Sequence, residues 1–510
     1  MIRRTREELT RSVAVLTVAL LLGACASAPP PAPAPEPEPQ VQAPAQPAQP
    51  AVPTPASTAP PQLGDPRPLT LPQVVERRLD NGLRILIVEH HELPIADFVL
   101  VVKSGSEEDP ARREGLASLT AAMLDEGTRT RNAMQIADQI GYLGISLTTA
   151  SGWDASRVAL HTPTAQLDSA LALFADVIRN PSFATRELER LRKDRLTAIL
   201  QQRDRAPVIA DLAFSSILYG EDHPYGRAQQ GTEPSVKAMT RAEVQRFYNQ
   251  HYRPNNSVLV VVGDVDVNDI VVRANRLFGS WQRGTIPASR VAQTRPAGAS
   301  TTVYLIDKPG APQSSFRIGS IGVARATPDY FPLMVMNTIL GGSFTSRLNN
   351  NLRETKGYTY GAGSSFDMRQ AEGPFTARAE IVAEKSDSAL IEFMKELRSI
   401  REEVPASELE KAKRYLQLGL PAQFETTSDI AFRLAPLAIY DLPLDYFNTY
   451  AQQIDAVTGA DVNRVAQQHV RPDNISVVIV GDLKTIEQGI RAVQIGKVEV
   501  RDMSGRPIVQ

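Results

Sequence analysis

One strand-ending phrase occurs twice in this chain, and no other feature restricts its fold as much. His251, Arg253, Pro254, Asn256, Gly263 and Asp264 return as His469, Arg471, Pro472, Asn474, Gly481 and Asp482, each displaced by 218 residues without a gap. Upstream, Thr240 and Val244 return as Thr458 and Val462 in the same register. Solenoid and propeller units recur every ~20–50 residues, so so long a spacing means two copies of a whole domain. The length agrees, because 510 residues exceed the roughly 250–300 at which a single core stops growing. A hydrophobic share of 42% supplies material for two cores, while a net charge of −2 and the lack of a basic run exclude a nucleic-acid partner held by phosphate attraction.

The first copy is read as residues 74–282. Asn81-Gly82 stands before the apolar run Leu83 to Val88, the signal of a turn entering a strand, and Asp97 to Val102 reads as a second strand. Helical periodicity follows in 115–124, 133–140, 165–178 and 186–202, before a buried strand at 256–262. Residues 283–300, rich in Thr, Pro, Ala and Gly, read as an interdomain linker. The second copy spans 301–492, with helices at Tyr330 to Leu340, closed by Gly341-Gly342, at Ser388 to Ile400 and at Ser407 to Leu418. Residues 493–510 read as a loosely held tail.

Two segments precede the folded body. Arg3, Arg4, Arg6 and Arg11 lead into the apolar stretch Val13 to Leu22 and then Gly23-Ala24-Cys25, the layout of an export signal over residues 1–24. A bilayer crossing needs about 20 apolar residues, so this stretch is too short to span one. Cys25 is the only cysteine, which leaves the folded body without a disulfide, and Leu22-Gly23-Ala24-Cys25 looks like a bacterial lipobox that directs cleavage before Cys25 and lipid attachment to it. Ala26, rather than aspartate, follows, as in lipoproteins sorted to the outer membrane. Residues 25–73 are a Pro/Ala-rich linker that cannot build a core. Extended at about 3.1 Å per residue, its stretch from Cys25 to Pro61 reaches on the order of 100 Å from the anchor.

Leu352 to Ser364, LRETKGYTYGAGS, joins a helix to a strand. Gly357 is a natural left-handed stop, which places Arg353 in the helix's last turns. Tyr358 and Tyr360 then alternate at period two, so both phenols are expected on one face with Tyr360 near Arg353 across the turn. A purely structural role is also open, since the helix dipole favours an arginine there and tyrosine is ordinary strand material.

Taken together, the duplicated RP-(N/D)-N phrase with its following apolar strand, GYTYGAGS in the second copy, Leu79-Asp80-Asn81-Gly82-Leu83, Tyr225-Gly226 and the stretch Leu442 to Val462 resemble the insulinase, pitrilysin and mitochondrial-processing-peptidase family over Val74 to about Ile490. The resemblance implies an α+β fold of two homologous tandem domains, each a mainly antiparallel sheet flanked by helices, behind the signal peptide and tether. Catalytic members carry His-x-x-Glu-His on a first-domain helix and a further glutamate on a later one. Zinc needs such donors, three from protein with water in the fourth place. In this chain the matching helix reads GLASLTAAMLDEGT, and Ser118, Ala121 and Ala122 occupy the three motif positions. None can serve. The remaining histidines do not rebuild a site: His161, His223, His251 and His469 stand alone, and His90 and His91, adjacent in a strand exit, point to opposite faces. Arg190 to Pro207, where the third ligand belongs, offers Asp194 and Asp204 without a histidine.

The family's second-domain pair, an arginine and a tyrosine seven residues apart, is matched by Arg353 and Tyr360. In the family these hold the substrate peptide, the arginine donating to its carbonyls and the phenol steadying the developing oxyanion. Some bacterial members divide the work between a zinc-bearing chain and a zinc-free chain that keeps this pair, and the sequence resembles the second kind. The resemblance implies a chain that binds no cofactor itself and is inactive alone. Its partners would be a homologous zinc-bearing subunit, peptide or unfolded-protein substrate, and the membrane through a lipid anchor, on the periplasmic face of the cell envelope. A non-enzymatic peptide-binding or scaffold lipoprotein is the rival reading. An independent zinc protease is the third, with the missing donors against it.

Overall fold

The computed structural model describes residues 73–289, 291 and 300–508. The signal peptide, Cys25, nearly all of the tether and half of the 283–300 linker lie outside the described residues. No described helix is long and apolar enough to cross a membrane.

Each copy builds one six-stranded sheet. In the first, β1 (Val75–Arg78), β2 (Arg84–Glu89), β3 (Ile95–Val102), β4 (Ser146–Ser151), β5 (Ser156–Pro163) and β6 (Ser257–Gly263) stand in the order β1-β2-β6-β3-β5-β4. In the second, β7 (Thr302–Asp307), β8 (Gln313–Ile321), β9 (Thr359–Phe366), β10 (Pro374–Val382), β11 (Ser476–Gly481) and β12 (Lys497–Arg501) stand in the order β12-β7-β11-β8-β10-β9. Only β2 and β6 pair parallel in the first sheet; in the second, β11 and β12 both flank β7 in parallel. The repeated phrase supplies β6 and β11, each third in its sheet, and the capped helices Arg241–His251 and Gly459–His469 before them. Both helices open with the same device. Thr240 caps Glu243 and Thr458 caps Asp461, each threonine accepting from a backbone N–H while the acid reaches back.

The tail departs from expectation. Its alternating Val498 and Val500 pack against the second core as β12, the parallel partner of β7. Beyond it, Arg506 pairs with Glu221 of the first copy at 2.5 Å. A strand of period two with an open sheet edge beside it has somewhere to pair, and its position at the end of the chain does not prevent this.

Why Val258 to Val262 is apolar without alternation follows from what covers each face. One face of the first sheet, with Ile85, Phe98, Leu259 and Val261, lies in the first copy's core. The other face, with Val88, Val99, Val101 and Val260, packs on Ile430, Leu434, Ala435 and Ala438 of a helix from the second copy, Thr427–Ile439. The exchange is mutual. The first copy's helix Ala206–Tyr219 lays Ile209, Ala213 and Phe214 on Ile306, Val478 and Val480 of the second sheet. Both sheets are thus buried on two sides, as continuous apolar strands require.

Polar contacts fix the exchanged helices, because buried charges must be partnered. Asp97 on β3 accepts from Thr427 and Ser428, each at 2.6 Å, in the first turn of the incoming helix, where the dipole favours an anion. Arg317 on β8 meets Asp211 at 2.5 Å and the Pro207 carbonyl at 3.2 Å. A third junction gathers on Asp154, which accepts from the hydroxyls of Tyr225 (3.0 Å) and Tyr440 (2.8 Å) and from the Gln370 amide (2.9 Å).

Glu107 lies against Asp154, and burial, reinforced by the Asp154 charge, holds its carboxyl well above the usual carboxylate range. It therefore keeps a proton that the unfolded chain releases near pH 4.5. The native state binds more protons above that pH, so this group makes stability fall as pH rises through the neutral range. Burial also raises Asp109 to about 7 and Asp125 to about 6, with the same sign. Thermal melts should show higher Tm at pH 5.5 than at pH 8. Glu107→Gln, which mimics the protonated acid, should flatten that slope; an unchanged slope would assign it elsewhere.

Candidate functional site

Two places carry the residues singled out above, one in each copy. In the first, the helix α1 (Leu116–Ala122) begins at Gly115, whose φ of +90° is left-handed. A side chain there would stand 2.7 Å from Gln230 backbone, so only glycine lets that segment pass so close. Asp109, buried, fastens the start: its Oδ2 accepts from the Gly115 amide and its Oδ1 from the Ala117 amide, both at 2.7 Å.

Ser118, Ala121 and Ala122 lie on α1 as the spacing requires, Ala121 fully buried and the other two half-buried. Ser118 Oγ lies 2.8 Å from the Gln229 carbonyl, to which it donates, and accepts from Arg195 at 2.9 Å. Arg195 belongs to α2 (Thr185–Gln202), the helix of the third-ligand region, and also donates to the Gly115 carbonyl at 3.0 Å. This donor set does not fit zinc. Two of the three motif positions are methyl groups, the serine oxygen is engaged, and a guanidinium stands where a dication would have to enter. Among the described residues no group of three or more His, Cys, Asp or Glu is placed to hold a metal ion. Four of the six histidines are spent separately: His91 on Asp264 at 2.8 Å, His161 on Asp97 at 3.1 Å, His251 on Ser104 at 2.9 Å and His469 on Asp329 at 3.3 Å.

In the second copy, Asn350–Thr355 is wound as a wide π turn, a form frequent at functional sites, and Arg353 lies in it. Gly357, at φ +63°, ends the helix as its type predicts, with the Tyr358 amide donating back to Leu352 at 2.9 Å. The two phenols do not share an environment. Tyr358 packs against the second core, while Tyr360 is 90% exposed. The cause is a bulge: Ala362 pairs with Ala379 and Thr359 with Ile381, so Tyr360 and Gly361 together face Glu380 alone. An extra residue breaks the alternation and turns its side chain out.

Arg353 is half-exposed, its guanidinium 4.5 Å from the ring centre of Phe344 and 3.4 Å from Glu354. Among the described residues no hydrogen bond joins it to Tyr360, so the closeness expected across the turn is not a direct contact. Asn349 does the joining. Buried, it donates to the Phe344 carbonyl at 2.6 Å and accepts from the Ala362 amide at 3.1 Å, tying loop, helix and β9 together. Neither Asn349 nor Phe344 was apparent from sequence; the only sign was Gly341-Gly342 just before them, where Gly341 has no room for a side chain against Ser364 of β9.

Comparison with known proteins places both sites in one context. Residues 84–222 match the family described as insulinase (peptidase family M16), and residues 238–416 match the peptidase M16 inactive domain. An uncharacterized zinc protease of Mycobacterium tuberculosis is 28% identical over 421 residues, 81% of this chain and 95% of that protein. The non-peptidase homolog YmxG of Helicobacter pylori is 23% identical over 408 residues, 78% of this chain and 92% of that one. A crystal structure of a peptidase M16 inactive domain from Pseudomonas fluorescens superposes with a TM-score of 0.75 at 30% identity, over 80% of this chain and 98% of that chain.

Proposed function

The chain belongs to the insulinase family, peptidase family M16, and from that premise we propose that it is the zinc-free, substrate-holding subunit of a two-chain metallopeptidase. One observation carries the reading: where catalytic members set two zinc-binding histidines and the glutamate that activates water, this chain sets two alanines and a serine bonded to the guanidinium of Arg195. The homologous partner chain supplies zinc, and with it the activated water. This chain supplies half of a peptide-enclosing chamber. Arg353 donates to carbonyl oxygens of the bound peptide, and the exposed Tyr360 hydroxyl donates to the oxygen on which negative charge develops. Phe344, beneath Arg353, limits where the guanidinium can swing.

Residues 1–24 act as a lipoprotein signal peptide, lipid on Cys25 anchors the mature chain, and the tether 25–73 lets the body, its copies divided at 283–300, stand off the outer membrane on the periplasmic side. The similarity to a non-peptidase homolog favours one alternative, a peptide-binding lipoprotein without enzymatic role. Reconstitution separates the two. The purified chain is expected to hold less than stoichiometric zinc and to cleave nothing alone, then to raise peptide cleavage at least tenfold when mixed with an M16 partner bearing His-x-x-Glu-His. Cleavage by this chain alone would overturn the subunit reading. No gain on mixing would favour the binding lipoprotein.

A further inference from the structure

Between the helix Ala206–Tyr219, the loop 227–231 and β10 lies a cavity of about 350 Å³ whose walls come from both copies. It is lined by three arginines, Arg227, Arg369 and Arg378, against two acids, Asp211 and Asp367. Both acids are engaged, Asp211 with Arg317 and Asp367 with Arg369, each at 2.5 Å. Arg227 spends its three nitrogens on the backbone carbonyls of Asp109, Glu221 and Asp222. Arg378 is exposed to the cavity and has no partner among the described residues.

Its place in the sheet leaves that charge unanswered. Arg378 on β10 stands directly opposite Arg317 on β8, so two like charges share one face, an arrangement unfavourable in itself. Arg317 takes the acids in reach, Asp211 and, at 3.2 Å, Glu380. Nothing of opposite sign is left for Arg378 among the described residues, and a bound anion would supply it. The remaining wall is held in place. Arg369, only 5% exposed, lies between the rings of Trp153 and Tyr225, 4.3 and 4.6 Å from their centres, and Gln202 donates to Gln230 at 3.3 Å.

We propose that this cavity is a specificity subsite for an acidic side chain of the bound peptide, with Arg378 as its cation. A guanidinium fork matches a carboxylate in shape as well as in charge. The proposal rests on the reading that peptide enters the chamber, and not on the zinc-bearing partner. Arg378 precedes Glu380 by two residues, about 7 Å along the strand, and Glu380 faces the bulge at Tyr360. The acidic residue is therefore expected within a few positions of the bond that Tyr360 attends.

Trp153, half-buried on the cavity wall, supplies the readout, because the chain's other tryptophan, Trp281, is buried in the first core. The full chain is titrated at low salt with three peptides of one sequence, blocked at both ends, that carry glutamine, glutamate or lysine at one internal position. The glutamate peptide is expected to change the Trp153 emission and to bind about tenfold more tightly than the glutamine peptide, with the lysine peptide weakest. Arg378→Gln, at an exposed position without a partner, should fold normally and abolish the preference. Arg378→Glu should transfer it to the lysine peptide. Equal affinity for all three peptides would overturn the subsite and leave the peptide-holding reading in place, whereas no binding of any would overturn both. A glutamate preference that survives both Arg378 changes would put the acid elsewhere and overturn the proposal as well.

Discussion

Tyr360→Phe should lower kcat of the reconstituted two-chain peptidase about 100-fold and leave KM nearly unchanged, because removing one donor to a developing oxyanion costs on the order of 10²–10³ in kcat. Arg353→Ala should act differently, chiefly raising KM, since its donation to peptide carbonyls is present before the transition state and within it. Neither change should disturb the fold. Tyr360 is 90% exposed, and the Arg353 side chain keeps only an exposed contact with Glu354 and its place over Phe344. Melts of both variants should therefore stay within about 0.5 kcal/mol of the parent, as for surface substitutions generally. Steady-state kinetics of the mixed chains check the pair, and an unaltered kcat for Tyr360→Phe would remove the phenol from the reaction.

The largest effect on stability is expected at the junction of the copies. Asp154→Ala strands the buried hydroxyl of Tyr225, the half-buried hydroxyl of Tyr440 and the amide of Gln370, and should cost about 3–5 kcal/mol in denaturant unfolding. Tyr440→Phe, which removes one donor and leaves the acceptor its others, should cost only about 1 kcal/mol. The inequality is the point, since an unmade buried hydrogen bond costs more than a made one returns. Asp154→Ala should also weaken the upward push on Glu107, which owes part of it to the Asp154 charge, and so shrink the fall in Tm between pH 5.5 and pH 8. A cost below that of Tyr440→Phe would mean that the junction is not held through this carboxylate.

Much of this was legible in the residues. The offset between His251 and His469 gave the two copies, and the structure places β6 and β11 at matching positions in their sheets. Gly357 stopped its helix where a residue free to adopt positive φ was needed. The identities of Ser118, Ala121 and Ala122 excluded zinc donors, because the chemistry of a side chain is fixed before any folding. Three things were not legible. Tyr360 turns outward through a bulge that depends on which residues of β10 lie opposite. Residues 497–501 become a strand because β7 leaves an edge for them. Arg195 reads as one more charge on a solvated helix until α1 is set beside it.

Sequence by itself determined which segments must be buried and which side chains can bind, donate or coordinate, since period, turn type and functional group are local properties. Tertiary structure alone decided what does the burying and what each group meets. Val99 and Val260 announce a second covered face, but nothing in them says that the cover is a helix lying more than 160 residues further along the chain, in the other copy. Apolar burial is non-directional, so a strand can specify that it is covered without specifying by what, and the choice of partner is settled only when all the faces are packed at once.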